Sequence, residues 1–214
     1  AKWKAIDYEA KDRIPQFFSK ENSATDVQAF YLLNEYLNNG TFLHLANSSV
    51  VRYMQLFDPI KTVKYFANRG TSGIDGSMST AVGSAIALPN KQHVFISGDV
   101  SFIYDSNAMW IRPFPKNLKI IIINNYGGSI FRIIDGAKSS DQLESYFEAH
   151  HDVDVKDIAE GFGFSIIEVD KLKDFETSIS HFLNHESHQI LIFKTDRIEN
   201  PLALGRLFKH LNND

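Results

Sequence analysis

Residues 93–101, HVFISGDVS, and residues 118–128, LKIIIINNYGG, decide the fold. Each opens with an apolar run read as a strand, His93–Ser97 and Leu118–Ile123, that stops at a small or polar residue. Neither run alternates strictly, and continuous apolarity marks a strand covered on both faces. Four further runs read the same way: Thr41–Ala46 (TFLHLA), Val63–Ala67 (VKYFA), Phe164–Val169 (FSIIEV) and Gln189–Thr195 (QILIFKT). The stretches between them carry helical spacing. Over Thr25–Asn38, Val27, Phe30, Tyr31, Leu33 and Tyr36 fall largely along one side, with Thr25 or Ser23 to cap the start and Gly40 to stop it. Over Leu172–Asn184, Phe175, Ile179, Phe182 and Leu183 form an apolar stripe opposite the charges. Helices are also predicted near Ser77–Leu88, Ser101–Ile111, Asp141–Ala149, Val155–Phe162 and Pro201–Leu211. Strand, helix, strand repeated in this way implies right-handed crossovers. The expected fold is α/β, doubly wound, with a mostly parallel sheet and helices on both faces.

The 214 residues suit one domain, with a core large enough to need neither disulfide nor structural metal. There is no cysteine, which removes thiol nucleophiles and thiolate zinc sites and fits a reducing, cytoplasmic setting. Acidic residues outnumber basic ones by 26 to 22, the wrong sign for a general nucleic-acid binder. No apolar run approaches the ~20 residues of a membrane span. The charged N-terminus has no signal-peptide core, and Ala1 in place of Met points to processing or an excised piece. Residues 1–21 are expected to be an adaptor or interdomain remnant, and 22–214 the domain proper.

In such a sheet, ligands bind beyond the carboxyl ends of the strands. Four consecutive strand ends carry small, polar or charged residues: Asn47-Ser48-Ser49-Val50-Val51-Arg52, Asn68 to Gly76 (NRGTSGIDG), Gly98-Asp99-Val100-Ser101, and Asn124-Asn125-Tyr126-Gly127-Gly128. One helical crossover separates Asp99 from Asn125, so the two can be neighbours. A carboxylate, an amide oxygen and a backbone carbonyl are hard oxygen ligands suited to Mg²⁺, which completes its shell with water and phosphate. Gly98 lets backbone approach closely, and Ser101 sits where a helix start presents N–H groups to an anion. Taken singly, Gly-Asp and Asn-Asn are ordinary turns. The weight lies in their spacing and in four loops at one sheet edge.

Gly98-Asp99, Val100, 23 residues from Ser101 to Ile123, then Asn124-Asn125 resembles the thiamine-diphosphate signature. The strings ANSSVVR (46–52), NRGTSGIDG (68–76), GDVSFIYDSNA (98–108) and NNYGGSIF (124–131) resemble one family more closely. That family is the menaquinone-pathway 2-succinyl-5-enolpyruvyl-6-hydroxy-3-cyclohexene-1-carboxylate (SEPHCHC) synthases, and the likeness is to their C-terminal thiamine-diphosphate-binding domain. Such transferases decarboxylate 2-oxoglutarate and add the resulting unit to isochorismate. The resemblance implies that Asp99, Asn125 and the Gly127 carbonyl hold Mg²⁺ or Mn²⁺. Ser72, Gly73, Val100 and Ser101 would lie at the diphosphate, and Ile74 would buttress the bent cofactor. Ser48, Arg52 and Arg69 would bind substrate carboxylates, while Ile130, Phe131 and Ile134 would wall the reacting centre. The arginines make independent sense, since both substrates are dianions and a guanidinium forks onto carboxylates. Without the flanking strings, Arg52 reads as a solvated helix charge and Arg69 as a surface ion pair.

Two positions depart from the pattern: Val100 stands where the broader superfamily often has Gly, though an apolar residue there fits the synthases, and Tyr126 stands where the synthases usually have a third Asn. The resemblance also implies a homo-oligomer in which a partner chain's pyrimidine-binding domain supplies a glutamate to the cofactor. No glutamate here lies in a matching motif, so the chain alone is expected to bind metal and diphosphate weakly and not to turn over. Another thiamine-dependent 2-oxoacid enzyme, or a cofactor-free α/β interaction module, are the alternatives. His181, His185 and His188 are read as a solvated face, His150-His151 as a loop, and Phe17, Phe18, Phe30 and Tyr31 as core or interdomain contact. Asp75 and Asp105 are read as helix braces.

Overall fold

The computed structural model describes residues 2–184 and 188–212. All six expected strands form, each ending within one residue of the sequence reading: β1 Phe42–Leu45, β2 Lys64–Ala67, β3 His93–Gly98, β4 Leu118–Asn124, β5 Ser165–Val169 and β6 Gln189–Lys194. They build one sheet in the order β2-β1-β3-β4-β6-β5, and every pair is parallel. From β1 the chain moves outward to β2, then returns to lay β3 on the other side of β1. That reversal splays the loops after β1 and β3 apart and opens a crevice at the carboxyl edge.

The unbroken apolar run of β4 explains itself in three dimensions. Ile121 and Ile123 join Leu43, Leu45, Val94, Ile96, Leu191 and Phe193 in the core on one face. Ile120 and Ile122 join Phe95, Ile190 and Ile192 on the other. Helices α2 (Asp26–Tyr36), α3 (Ser49–Met54), α7 (Leu172–Asn184) and α8 (Glu199–Asn212) cover the first face. Helices α4 (Ser77–Ala87), α5 (Asp99–Tyr104) and α6 (Val155–Gly161) cover the second. Helix α1, Lys2–Phe18, lies against α8, with Arg13 donating to the Leu211 carbonyl at 2.8 Å. Its last residues reach the core, where Phe18 stacks on Tyr31 at 4.1 Å.

Several local expectations give way to tertiary contacts. Thr25 stands at the N-cap of α2 but makes no capping bond. The Asp26 N–H is satisfied instead by Asn200 Oδ1, 2.8 Å away on α8. The helix ends at Tyr36, where the Leu37 N–H closes on the Leu33 carbonyl before Gly40 is reached. The helix expected over Ser101–Ile111 starts earlier, at Asp99, and breaks at Asp105 into a 3-10 turn. Asp105 braces α4 instead, accepting from the Ser79 N–H at 2.7 Å and the Ser79 hydroxyl at 2.6 Å. The helix expected over Asp141–Ala149 shrinks to a π-helical turn, Leu143–Phe147. His181 lies on the exposed side of α7, and His185 falls outside the described residues.

Candidate active site

The crevice is a cavity of about 490 Å³ at the carboxyl ends of β1, β2, β3 and β4. Asp99, Val100 and Ser101 reach it from the start of α5, and Asn125 and Gly127 from the turn after β4. Ser48 and Arg52 reach it from the start of α3, and Arg69, Ser72 and Ile74 from the loop after β2. Ile130, Phe131 and Ile134 close one side. Among the residues to which the resemblance gives a role, Gly73 alone stands behind the lining, its carbonyl taking a 2.6 Å hydrogen bond from Asn47 Nδ2.

The two strand ends meet through direct bonds. Asp99, only 1% exposed, accepts from the Val100 N–H at 2.8 Å and from the Gly127 N–H at 2.9 Å. The carboxylate of one loop is thus tied to the backbone two residues past Asn125 in the other. Asn125 donates from Nδ2 to Asp26 Oδ2 at 3.0 Å and to Ser129 Oγ at 2.9 Å. Its Oδ1 is buried and has no partner. The turn needs glycine at 127, because a Cβ there would sit 2.9 Å from the Glu148 carbonyl oxygen. Tyr126 is left-handed, at φ +62°, a conformation that Asn tolerates and Tyr adopts under strain.

Backbone strain concentrates here. Among the described residues, the non-glycine positions with positive φ are Ser48, Ser72, Tyr126 and Ala149. Three of them line the cavity and Tyr126 sits between Asn125 and Gly127. Strained conformations persist only where surrounding structure over-determines them, and they cluster at functional sites.

Arg52 is exposed on α3, as a solvated helix charge would be, whereas Arg69 is exposed without the surface ion pair expected of it. Arg52 donates to the Ser48 carbonyl at 2.9 Å and Arg69 to Asn47 Oδ1 at 2.8 Å. Among the described residues neither forms an ion pair, so each retains donors for an anion in the cavity.

A profile of the family described as "Thiamine pyrophosphate enzyme, C-terminal TPP binding domain" matches residues 47–193. The chain belongs to this family. The SEPHCHC synthase of Flavobacterium johnsoniae is 41% identical over 197 residues, covering 92% of this chain and 35% of the relative. That of Porphyromonas gingivalis is 32% identical over 214 residues, covering 99% of this chain and 37% of the relative. The chain thus spans about a third of the length of the curated relatives it matches. Among solved structures, the Rhodococcus jostii RHA1 thiamine diphosphate-dependent 4-hydroxybenzoylformate decarboxylase superposes with a TM-score of 0.66. It covers 80% of this chain and 32% of its own length at 23% identity, a likeness of fold alone.

For a thiamine pyrophosphate domain, the donor set is chemically apt. A divalent hard cation takes a carboxylate, an amide oxygen and a carbonyl, and the orphaned Asn125 Oδ1 is a buried acceptor lacking a positive partner. No cluster of three or more His, Cys, Asp or Glu side chains competes for a metal among the described residues.

Asp26, Glu148 and His151 carry no site signal in the sequence, and Asn47 shows there only as a member of a strand-end loop. Asp26 lines the cavity and is pushed up to about 6, chiefly by burial, with the Asp99 charge adding to the effect. Asn47 joins the β1 and β2 loops, donating to the carbonyls of Asn68 and Gly73 while holding Arg69. Glu148 takes Arg132 and Arg197 on its carboxylate, and its carbonyl accepts from the Gly128 N–H at 2.7 Å. His151, read as loop, sits with Nε2 3.4 Å from Asp99 Oδ2, without hydrogen-bond geometry. The neighbouring carboxylate raises its pKa. Each of these contacts joins residues too far apart in the chain for spacing to reveal them.

Proposed function

We propose that this chain is the cofactor-binding portion of a SEPHCHC synthase, acting in menaquinone biosynthesis in the cytoplasm. The observation that carries the reading is the junction of Asp99 with the Asn125–Gly127 turn, where an unsatisfied amide oxygen lies beside a buried carboxylate. In this reading Asp99, Asn125 Oδ1 and the Gly127 carbonyl hold Mg²⁺ or Mn²⁺, which binds the diphosphate of thiamine diphosphate. When bound, that cofactor would supply a nucleophilic carbon to attack the keto group and a cationic ring to take up the electron pair released on decarboxylation. The protein positions and excludes water. Ser72, Gly73, Val100 and Ser101 lie at the diphosphate. The Ser101 hydroxyl donates to the Ile74 carbonyl, which fixes the apolar buttress against the α5 start. Arg52, Arg69 and Ser48 orient the carboxylates of 2-oxoglutarate and isochorismate, and Ile130, Phe131 and Ile134 keep the reacting centre dry.

The first 21 residues serve as the adaptor leading into the domain. The full protein is a homo-oligomer, and the carboxylate that activates the cofactor comes from a partner chain's pyrimidine-binding domain. The cavity agrees with that division. Its own carboxylates, Asp26, Asp99 and Glu148, are all engaged by donors within the domain.

The full-length polypeptide is expected to consume 2-oxoglutarate and isochorismate only with thiamine diphosphate and Mg²⁺ present, and the 214-residue chain alone is expected to show no enzyme-like rate. Cofactor-independent turnover, or turnover of pyruvate in preference to 2-oxoglutarate, would count against the assignment.

A further inference from the structure

We propose that Asp26 is a positioning residue that decides which end of the Asn125 side-chain amide faces the cation site. The inference rests on the reading above, in which Asn125 Oδ1 is a ligand.

Asp26 opens α2, 99 residues before Asn125, and is 1% exposed. Its Oδ1 accepts from the Thr195 hydroxyl at 2.6 Å and from Asn200 Nδ2 at 2.9 Å. Its backbone N–H is held by Asn200 Oδ1, so main chain and side chain are clamped by one residue of α8. The remaining oxygen, Oδ2, faces Asn125 at 3.0 Å. An ionised carboxylate only accepts, so the amide end against it must be the donor. Ser129 Oγ takes the second N–H of the same nitrogen. With both hydrogens engaged, Oδ1 is turned away, buried and unpartnered. A half-turn of the amide would set two oxygens against each other at Asp26 and aim an NH₂ group where a cation belongs. Two acceptors on one side therefore fix the acceptor on the other.

The alternative is a plain structural role, in which Asp26 merely ties α2 to β6 and α8. Two substitutions separate the roles. In Asp26→Asn the new carbonyl oxygen faces two donors, Thr195 and Asn200, and its NH₂ faces the Asn125 nitrogen. Asn125 must then turn over and present its NH₂ to the site. In Asp26→Ala the acceptor is lost but no opposing donor replaces it, so Asn125 stays free to present its oxygen. The predicted order of Mn²⁺ affinity is wild type, then Asp26→Ala, then Asp26→Asn. The isosteric Asp26→Asn is expected to bind at least ~10-fold more weakly than wild type, the factor equal to ~1.4 kcal/mol.

Thermal stability is expected to run differently, with Asp26→Asn near wild type and Asp26→Ala lowest, because only the alanine leaves a void and stranded donors. The experiment measures Mn²⁺ binding by titration calorimetry on the full-length polypeptide, with and without thiamine diphosphate. A crystal structure of metal-free Asp26→Asn reads the Asn125 orientation. Affinities that simply follow stability, or an Asn125 whose nitrogen still faces residue 26 in the metal-free variant, would overturn the proposal. If wild type binds no Mn²⁺ even with thiamine diphosphate, the functional reading fails, while the orientation of Asn125 in the metal-free variant still decides the inference.

Discussion

Glu148 is the residue whose loss should be felt most widely. Its carboxylate is fully buried and takes Arg132 through two nitrogens, at 2.7 and 2.6 Å, and Arg197 at 2.6 Å. Those bonds raise the Arg132 pKa, chiefly through Glu148 itself. Removing one side of a buried ion pair costs far more than the pair contributes, because a charge is left without compensation. Glu148→Ala is therefore expected to lower stability by roughly 3 kcal/mol in denaturant titration. It should also loosen the Gly127-Gly128 turn, which packs on the Glu148 carbonyl. Ser48 presents the opposite balance. At φ +73° and ψ −128° it is strained, so Ser48→Gly should gain about 1 kcal/mol in stability while removing a hydroxyl from the cavity. A higher melting temperature with weaker 2-oxoglutarate saturation is the expected pair of readings. Asp99 and Asn125 were legible in the sequence because a strand end announces itself through the residue that stops it. Asp26 and Glu148 were not, and Asn47 was visible only as a loop member, since each acts through partners brought near only by the sheet order.

Between neighbouring strands, β1 and β3 bring His44 and His93 together, Nε2 to Nδ1 at 3.0 Å, stacked beside Phe66 and Phe42. Burial lowers both, His44 to about 4, with the second ring adding repulsion toward a second charge. An unfolded histidine binds its proton near 6.5, so between there and 4 the unfolded chain holds more protons than the folded one. Stability from this pair is full above pH 6.5 and falls as pH drops through that window, by on the order of 3 kcal/mol. Asp26 works in the reverse sense, since its raised carboxyl favours the fold at lower pH. Comparing unfolding free energies of wild type and His44→Phe across pH 4–7 cancels that contribution. Wild type should gain stability relative to the variant as pH rises from 4 to 6.5, and a difference that does not change with pH would argue against the pair. At this scale the strands were readable because two-sided burial demands unbroken apolar runs. Helix ends were less so: α2 takes its cap from Asn200 rather than Thr25, and α5 stops early because Asp105 is committed to Ser79. Helix α3, only six residues long and placed by the crevice, has too few turns to show a period.

Across the whole molecule, the reversal between β1 and β3 of a six-stranded parallel sheet delivers four loops to a single crevice, and those loops carry Asp99, Asn125 and Gly127 as well as the arginines. The crevice is half of a site in the proposed reading. In that reading Asp99 serves the cation, Asp26 and Glu148 are engaged by Thr195, Asn200, Arg132 and Arg197, and cofactor activation falls to another domain. Cofactor should accordingly be retained on gel filtration by the full-length protein and lost by the 214-residue chain. The proposed ligand set is tested head-on by soaking crystals of the full-length protein with Mn²⁺ and thiamine diphosphate and locating the ion by anomalous scattering. One peak within ligand distance of Asp99, Asn125 Oδ1 and the Gly127 carbonyl, absent in Asp99→Ala, is the predicted result. Ordered cofactor with no ion at those three groups, or an ion that persists in Asp99→Ala, would contradict it.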